Sequence, residues 1–160
     1  MKLYIIRHAW AGERGDPRWP DDSLRPLTDD GRKRFAKTAK RLAKRGLQPA
    51  RIATSPLVRC RQTADLLSAA TGGVEVVELD ALRPGSDLDA ILEWTSAQVG
   101  DIACVGHSPD VESLLAALVD CEAENVRFAK GASAALSFDA PPAPGEGTLL
   151  WHATAKILGA

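Results

Sequence analysis

The feature that most constrains the fold of this chain is an alternation. Short apolar runs rich in Val and Ile are separated repeatedly by longer stretches of helical period. "KLYII", "RIATS", "VEVVEL" and "DIACVG" are too short for stable helices and bounded by turn residues, so they predict strands at about 2–6, 51–55, 74–79 and 101–106. Between them, "LTDDGRKRFAKTAKRLAKRG" predicts a helix with Thr28 as N-cap and Gly46 as terminator. Its Phe35, Ala39, Leu42 and Ala43 share one stripe, and Lys and Arg fill most of the rest. "PLVRCRQTADLLSAAT" predicts a second helix with Pro56 at its first position, "SDLDAILEWTSAQ" a third and "SPDVESLLAALV" a fourth. "SAALSFD" and "TLLWHATA" read as two closing strands around the Pro/Gly turn 141–147. Strands separated by whole helices pair in parallel through crossovers. The expectation is therefore an α/β fold, a three-layer α/β/α sandwich with a mainly parallel central sheet.

At 160 residues the chain is expected to form one domain, 1–160, with a core large enough to need no staples. A net charge of −1 gives no bulk reason to bind nucleic acid or a membrane surface. No segment approaches the ~20 apolar residues that span a bilayer. Leu3–Ile6 is too short for the apolar part of a signal peptide, and Arg7 interrupts it. The three cysteines, Cys60, Cys104 and Cys121, are odd in number and far apart, which fits reduced thiols in a cytoplasm.

Charged residues at strand ends narrow the chemistry. In a sheet of this kind ligands collect at the carboxyl ends of the strands. Arg7 and His8 follow the first strand, Arg59 lies about one turn into the helix after the second, and His107 and Ser108 follow the fourth. Two guanidinium forks beside a helix start, with the amides after His107 opening it, describe a cradle for a phosphoryl group. A neutral imidazole can attack phosphorus and form a phosphohistidine, dividing one difficult displacement into two easier ones. A second imidazole can stabilise charge on the equatorial oxygens. This scheme needs neither a metal nor a cofactor.

Four ordered stretches, "IIRHA", "LRPLTDDGR", "SPLVRCRQTA" and "VGHSPDVESLL", together resemble the histidine phosphatase (phosphoglycerate mutase-like) superfamily, and within it the short branch of SixA-type phosphohistidine phosphatases. The resemblance runs over essentially the whole chain. It implies His8 as the phosphorylated nucleophile, Arg7 and Arg59 as phosphate ligands, and His107 as the second histidine. The family's usual Gly after Arg-His is Ala9 here, a change familiar in the SixA-like branch. Many relatives carry an acidic proton donor beyond the third strand, where this chain reads "ALRPGSD" with no carboxylate that fits cleanly.

That difference bears on the substrate. Expelling an alkoxide from an ester benefits from a proton donor, whereas a phosphoramidate can be protonated on its own nitrogen. The expectation is a phosphatase acting on phosphohistidine in a protein, for instance a histidine-phosphotransfer domain. The alternatives are a phosphatase of small phosphorylated metabolites and a non-catalytic phosphate- or phosphoprotein-binding module. Asp16, Asp21 and Asp22 in the first long loop are the candidate proton donors, against a plainer reading as turn-forming residues.

Other motifs carry less. "CEAENVR" has the Cys-x5-Arg spacing of cysteine phosphatases, but its two glutamates and lack of glycine make it a chance match. Cys60, between Arg59 and Arg61, reads as a half-buried helix thiol rather than a reactive one. His152 reads as a strand residue near the surface. The basic helix from Arg32 to Arg45 is a solvated face, with docking of an acidic phosphoprotein as the sharper alternative.

Overall fold

The computed structural model describes residues 1–160. In chain order the elements are β1 (Lys2–Arg7), α1 (Asp29–Lys44), β2 (Arg51–Thr54), α2 (Val58–Ala70), β3 (Val76–Glu78), α3 (Leu88–Ser96), β4 (Ile102–Gly106), α4 (Asp110–Val119), β5 (Ser133–Ser137) and β6 (Thr148–Ala153). The strands form one six-stranded sheet in the order β3-β2-β4-β1-β5-β6. β3, β2, β4 and β1 run parallel; β5 is antiparallel to β1, and β6 to β5.

Alternation along the strands builds the two cores. Leu3, Ile5, Ile102 and Cys104 join Ile91 of α3 and Leu114, Leu115 and Leu118 of α4 on one face. Tyr4, Ile6, Ala103 and Val105 join Phe35 and Leu42 of α1 and Leu67 of α2 on the other. This is the expected three-layer arrangement, with α1 and α2 on one side and α3 and α4 on the other. No helix is long and apolar enough to cross a membrane.

Two local readings are corrected. Pro56 is not the first residue of α2: the Ser55 amide still bonds to Val105 on the neighbouring strand, Leu57 remains extended, and the helix starts at Val58. Arg59 consequently lies in the first turn of α2 rather than one turn in. Cys60 is completely buried, not half-buried, and burial pushes its thiol up to about 12 despite the adjacent Arg59 cation.

The caps of α1 behave as the sequence predicts. Thr28 accepts from the Gly31 amide at 3.0 Å, and Gly46 follows the helix at φ 92°. Gly31 has a second task. A Cβ there would sit 2.2 Å from the Trp10 carbonyl, which the Thr28 amide binds at 3.0 Å. The chain just past His8 is thereby seated on the start of α1.

Candidate active site

The connections leave β1 toward α1 on one face and leave β4 toward α4 on the other, so a crevice opens between these two adjacent strands at their carboxyl ends. Arg7 pairs in register with Gly106, and the next residue on each strand is a histidine. The His8 amide donates to the Gly106 carbonyl at 3.0 Å. The two imidazole rings lie 5.4 Å apart, edge toward face at 61°.

Each ring is held by the groups beneath it. His8 Nδ1 is 2.8 Å from the Ala9 carbonyl, which can only accept, so Nδ1 carries the proton and Nε2 keeps a lone pair. His107 Nε2 lies 2.9 Å from Ser55 Oγ, and its Nδ1 faces the Arg59 guanidinium at 3.5 Å. Thr63 ties the pieces together: its hydroxyl accepts from the Ala9 amide at 3.1 Å and donates to the Arg59 carbonyl at 2.7 Å.

Both rings are neutral at neutral pH. Burial is the largest cause, and the positive groups around them add to it. Together these lower His8 from 6.5 to about 3 and His107 from 6.5 to about 4. For His8, burial outweighs the nearby Arg59 and Arg7 cations. Because the folded chain resists protonation while the unfolded chain does not, stability is full above about pH 6.5 and falls as pH drops toward 4. Each neutral imidazole loses about 2 kcal/mol of stability by about pH 5. Urea unfolding at about pH 7.5 and about pH 5 should show this loss, and His8→Ala should remove roughly half of it; an unchanged pH slope in that variant would contradict the assignment.

The histidines open onto a cavity of about 390 Å³. Five cationic side chains line it (Arg7, Arg14, Arg25, Arg59 and Lys130) against two carboxylates, Glu13 and Asp22. All of the sequence-predicted residues Arg7, His8, Arg59, His107 and Ser108 are on its wall. Arg59 is buried; its Nη1 donates to the Asp22 carbonyl at 2.9 Å, and its Nη2 is 3.2 Å from the Asp22 carboxylate. Arg7 donates from Nη1 to the Phe128 carbonyl at 2.6 Å. Ser108 directs its hydroxyl proton to Glu112 at 2.9 Å, so that proton is already engaged. The start of α4 contributes less than expected, because the helix begins at Asp110, Pro109 has no amide proton, and Asp110 and Glu112 occupy its first turn.

The three candidate proton donors separate clearly. Asp16 pairs with Arg18, Asp21 caps a short 3-10 turn, and only Asp22 reaches the cavity. The Arg25 guanidinium, 2.8 Å away, holds the Asp22 carboxyl below its ordinary range despite partial burial. At neutral pH Asp22 is an acceptor, not an acid. Between β3 and α3 only Pro84 reaches the cavity; Arg83 turns back to Asp80, and Asp87 caps α3.

Sequence reasoning missed Arg25, which is buried and bridges Asp22 and the Gly12 carbonyl. Its signal was present in "LRPLT", but a lone arginine in a loop gives no hint of burial. Ser55, Thr63 and Glu112 were missed as well, because nothing near them in sequence marks them as buried, and the exposed Glu13 carries no signal of its own. The "CEAENVR" segment is exposed at both Cys121 and Arg127 and forms no anion loop. His152 is exposed on β6, with its ring 4.7 Å from Phe128.

The family model of the histidine phosphatase superfamily (branch 1) matches residues 3–84, from β1 past β3. The chain belongs to that superfamily. An uncharacterized protein of Picosynechococcus sp. is 40% identical over 115 residues, 69% of this chain and 68% of that protein. The protein histidine phosphatase SixA, solved with tungstate, superposes with a TM-score of 0.85 at 26% identity over 99% of both chains. A candidate phosphohistidine phosphatase SixA from Agrobacterium tumefaciens gives a TM-score of 0.79, also at 26% identity, over 96% of this chain and 97% of that one. By family and by structure, this is an enzyme of the phosphatase class.

Proposed function

We propose that the chain removes the phosphoryl group from phosphohistidine in a protein substrate, through a phosphorylated His8. The observation that carries this reading is the electrostatic state of the cavity. It holds neutral imidazoles and several cations, and its one partly buried carboxylate, Asp22, is kept ionised by Arg25. Such a site binds a phosphoryl dianion well and has little to offer an alkoxide leaving group.

The chemistry follows from the tautomer. The Nε2 lone pair of His8 attacks phosphorus while the bond from phosphorus to the substrate's ring nitrogen breaks, and that electron pair returns to the leaving ring. A substrate ring protonated on its other nitrogen departs as neutral imidazole, so the step draws no proton from the protein. Water then attacks phospho-His8, releasing inorganic phosphate and restoring the free ring. Arg7 and Arg59 hold the equatorial oxygens, and the dianion favours protonating His107, whose imidazolium adds positive charge beside it. The similarity to SixA proteins, one of them solved with a tetrahedral oxyanion, supports the same reading.

The test is a substrate profile. A phosphohistidine-bearing protein should be hydrolysed with kcat/KM at least about 100-fold above a panel of phosphate esters, since a missing general acid costs on that order. A preference for any ester would replace this reading with that of a small-molecule phosphatase. Failure of any activated phosphoryl donor to label His8 would favour a binding module instead.

A further inference from the structure

Arg7, half-buried, differs from the two buried cations of the cavity, Arg25 and Arg59. Arg25 and Arg59 are both fixed by the Asp22 carboxylate, whereas Arg7 forms no ion pair; its Nε, like that of Arg59, has no partner. The one hydrogen bond of the Arg7 side chain is to the Phe128 carbonyl. A second cavity, of about 350 Å³, lies on its other side and shares Arg7 and Ser108 with the first. A long, flexible side chain therefore has room to turn out of the phosphoryl site.

One residue opposes that. Glu112, in the first turn of α4, is only 7% exposed. Its Oε1 accepts from the Phe128 amide at 3.1 Å and from the Ser108 hydroxyl at 2.9 Å. Phe128 thus receives the carboxylate on its N–H and the Arg7 guanidinium on its C=O, with its ring buried against the core. The other oxygen of Glu112, Oε2, is buried with no partner. A carboxylate kept in a core with one oxygen unsatisfied is costly, and a leucine would pack there without that cost. Its presence there calls for a compensating role, and its contacts supply one.

We propose that Glu112 is the positioning residue for Arg7. By clamping the Phe128 amide and the Ser108 hydroxyl together, it fixes the carbonyl that aims the Arg7 guanidinium at the phosphoryl group. This rests on the reading of the 390 Å³ cavity as the phosphoryl site.

A double-mutant cycle with vanadate as the probe tests it, with circular dichroism and the thermal midpoint confirming that each variant is folded. Arg7→Ala should weaken vanadate binding by about 10- to 100-fold. Glu112→Leu should weaken it by about tenfold when Arg7 is present and by less than about twofold in the Arg7→Ala background. Glu112→Gln, which keeps the accepting oxygen, should restore affinity to within about threefold of the parent. Should the leucine variant not fold, Glu112→Asp runs the same cycle, because it keeps the charge but withdraws the acceptor from Phe128. Equal losses with and without Arg7, or no loss in a folded Glu112→Leu, overturn the positioning role alone. Unchanged vanadate affinity in Arg7→Ala overturns both that role and the site reading beneath it.

Discussion

His8→Ala is expected to lower turnover of a phosphohistidine substrate by roughly 10⁴-fold or more while leaving the protein folded. The size of the effect follows from covalent catalysis: without the Nε2 lone pair there is no acceptor for the first displacement, and water must attack the substrate directly. Arg7, Arg59 and the rest of the cradle would still bind phosphate, so vanadate affinity should fall far less than turnover does. The fold should tolerate the change because the ring lines an existing cavity, and its backbone amide bond to Gly106 does not involve the side chain. Single-turnover measurements with an acid-labile phosphoryl label give the decisive readout. Label should appear on the parent protein and be absent from the variant. Retained turnover in His8→Ala would remove the proposed nucleophile.

Arg59→Ala has the next largest expected effect, a loss of phosphate and vanadate affinity on the order of 100-fold, or about 3 kcal/mol. Arg59 is buried beside His107, and the N–H groups that Asp22 does not engage are the donors it offers to a phosphate oxygen. Its removal leaves the Asp22 carboxylate paired with Arg25, and Asp22 is partly solvated, so no charge is stranded. The thermal midpoint should therefore move little. Arg59→Lys should recover little of the affinity, because an ammonium cannot reproduce the planar fork that spans the Asp22 carbonyl and carboxylate. A second signature is expected at His107. Burial is the main cause of its depressed pKa and Arg59 the next, so the imidazole should titrate closer to 6.5 in Arg59→Ala. An Arg59→Ala protein that binds vanadate as tightly as the parent would show that the guanidinium serves the loop around Asp22 rather than the ligand.

Both expectations start from residues legible in the sequence. Arg7, His8 and His107 were readable because they interrupt or end apolar runs, where a charge or imidazole stands out against strand-forming neighbours. Arg59 was readable because its helix follows directly after a strand. The parallel order that makes these ends converge also follows from the alternation of short strands with whole helices. The error over Pro56 was local: proline suits the first helical position, but Ser55 was still tied to β4, and a ladder bond across the sheet is invisible from sequence.

The chain by itself determined the layered fold, the family and which side chains stand at the strand ends, because these depend on periodicity and on neighbours close in sequence. Only the tertiary structure decided how those side chains behave. Asp22 became an ionised clamp instead of an acid because Arg25 and Arg59 close on it, and Cys60 became inert because the core surrounds it. Glu112 acquired a link to Arg7 through Phe128, a residue well over a hundred positions from Arg7. Charge states and hydrogen-bond partners depend on burial and on distances across the fold, and those quantities exist only once the chain has packed.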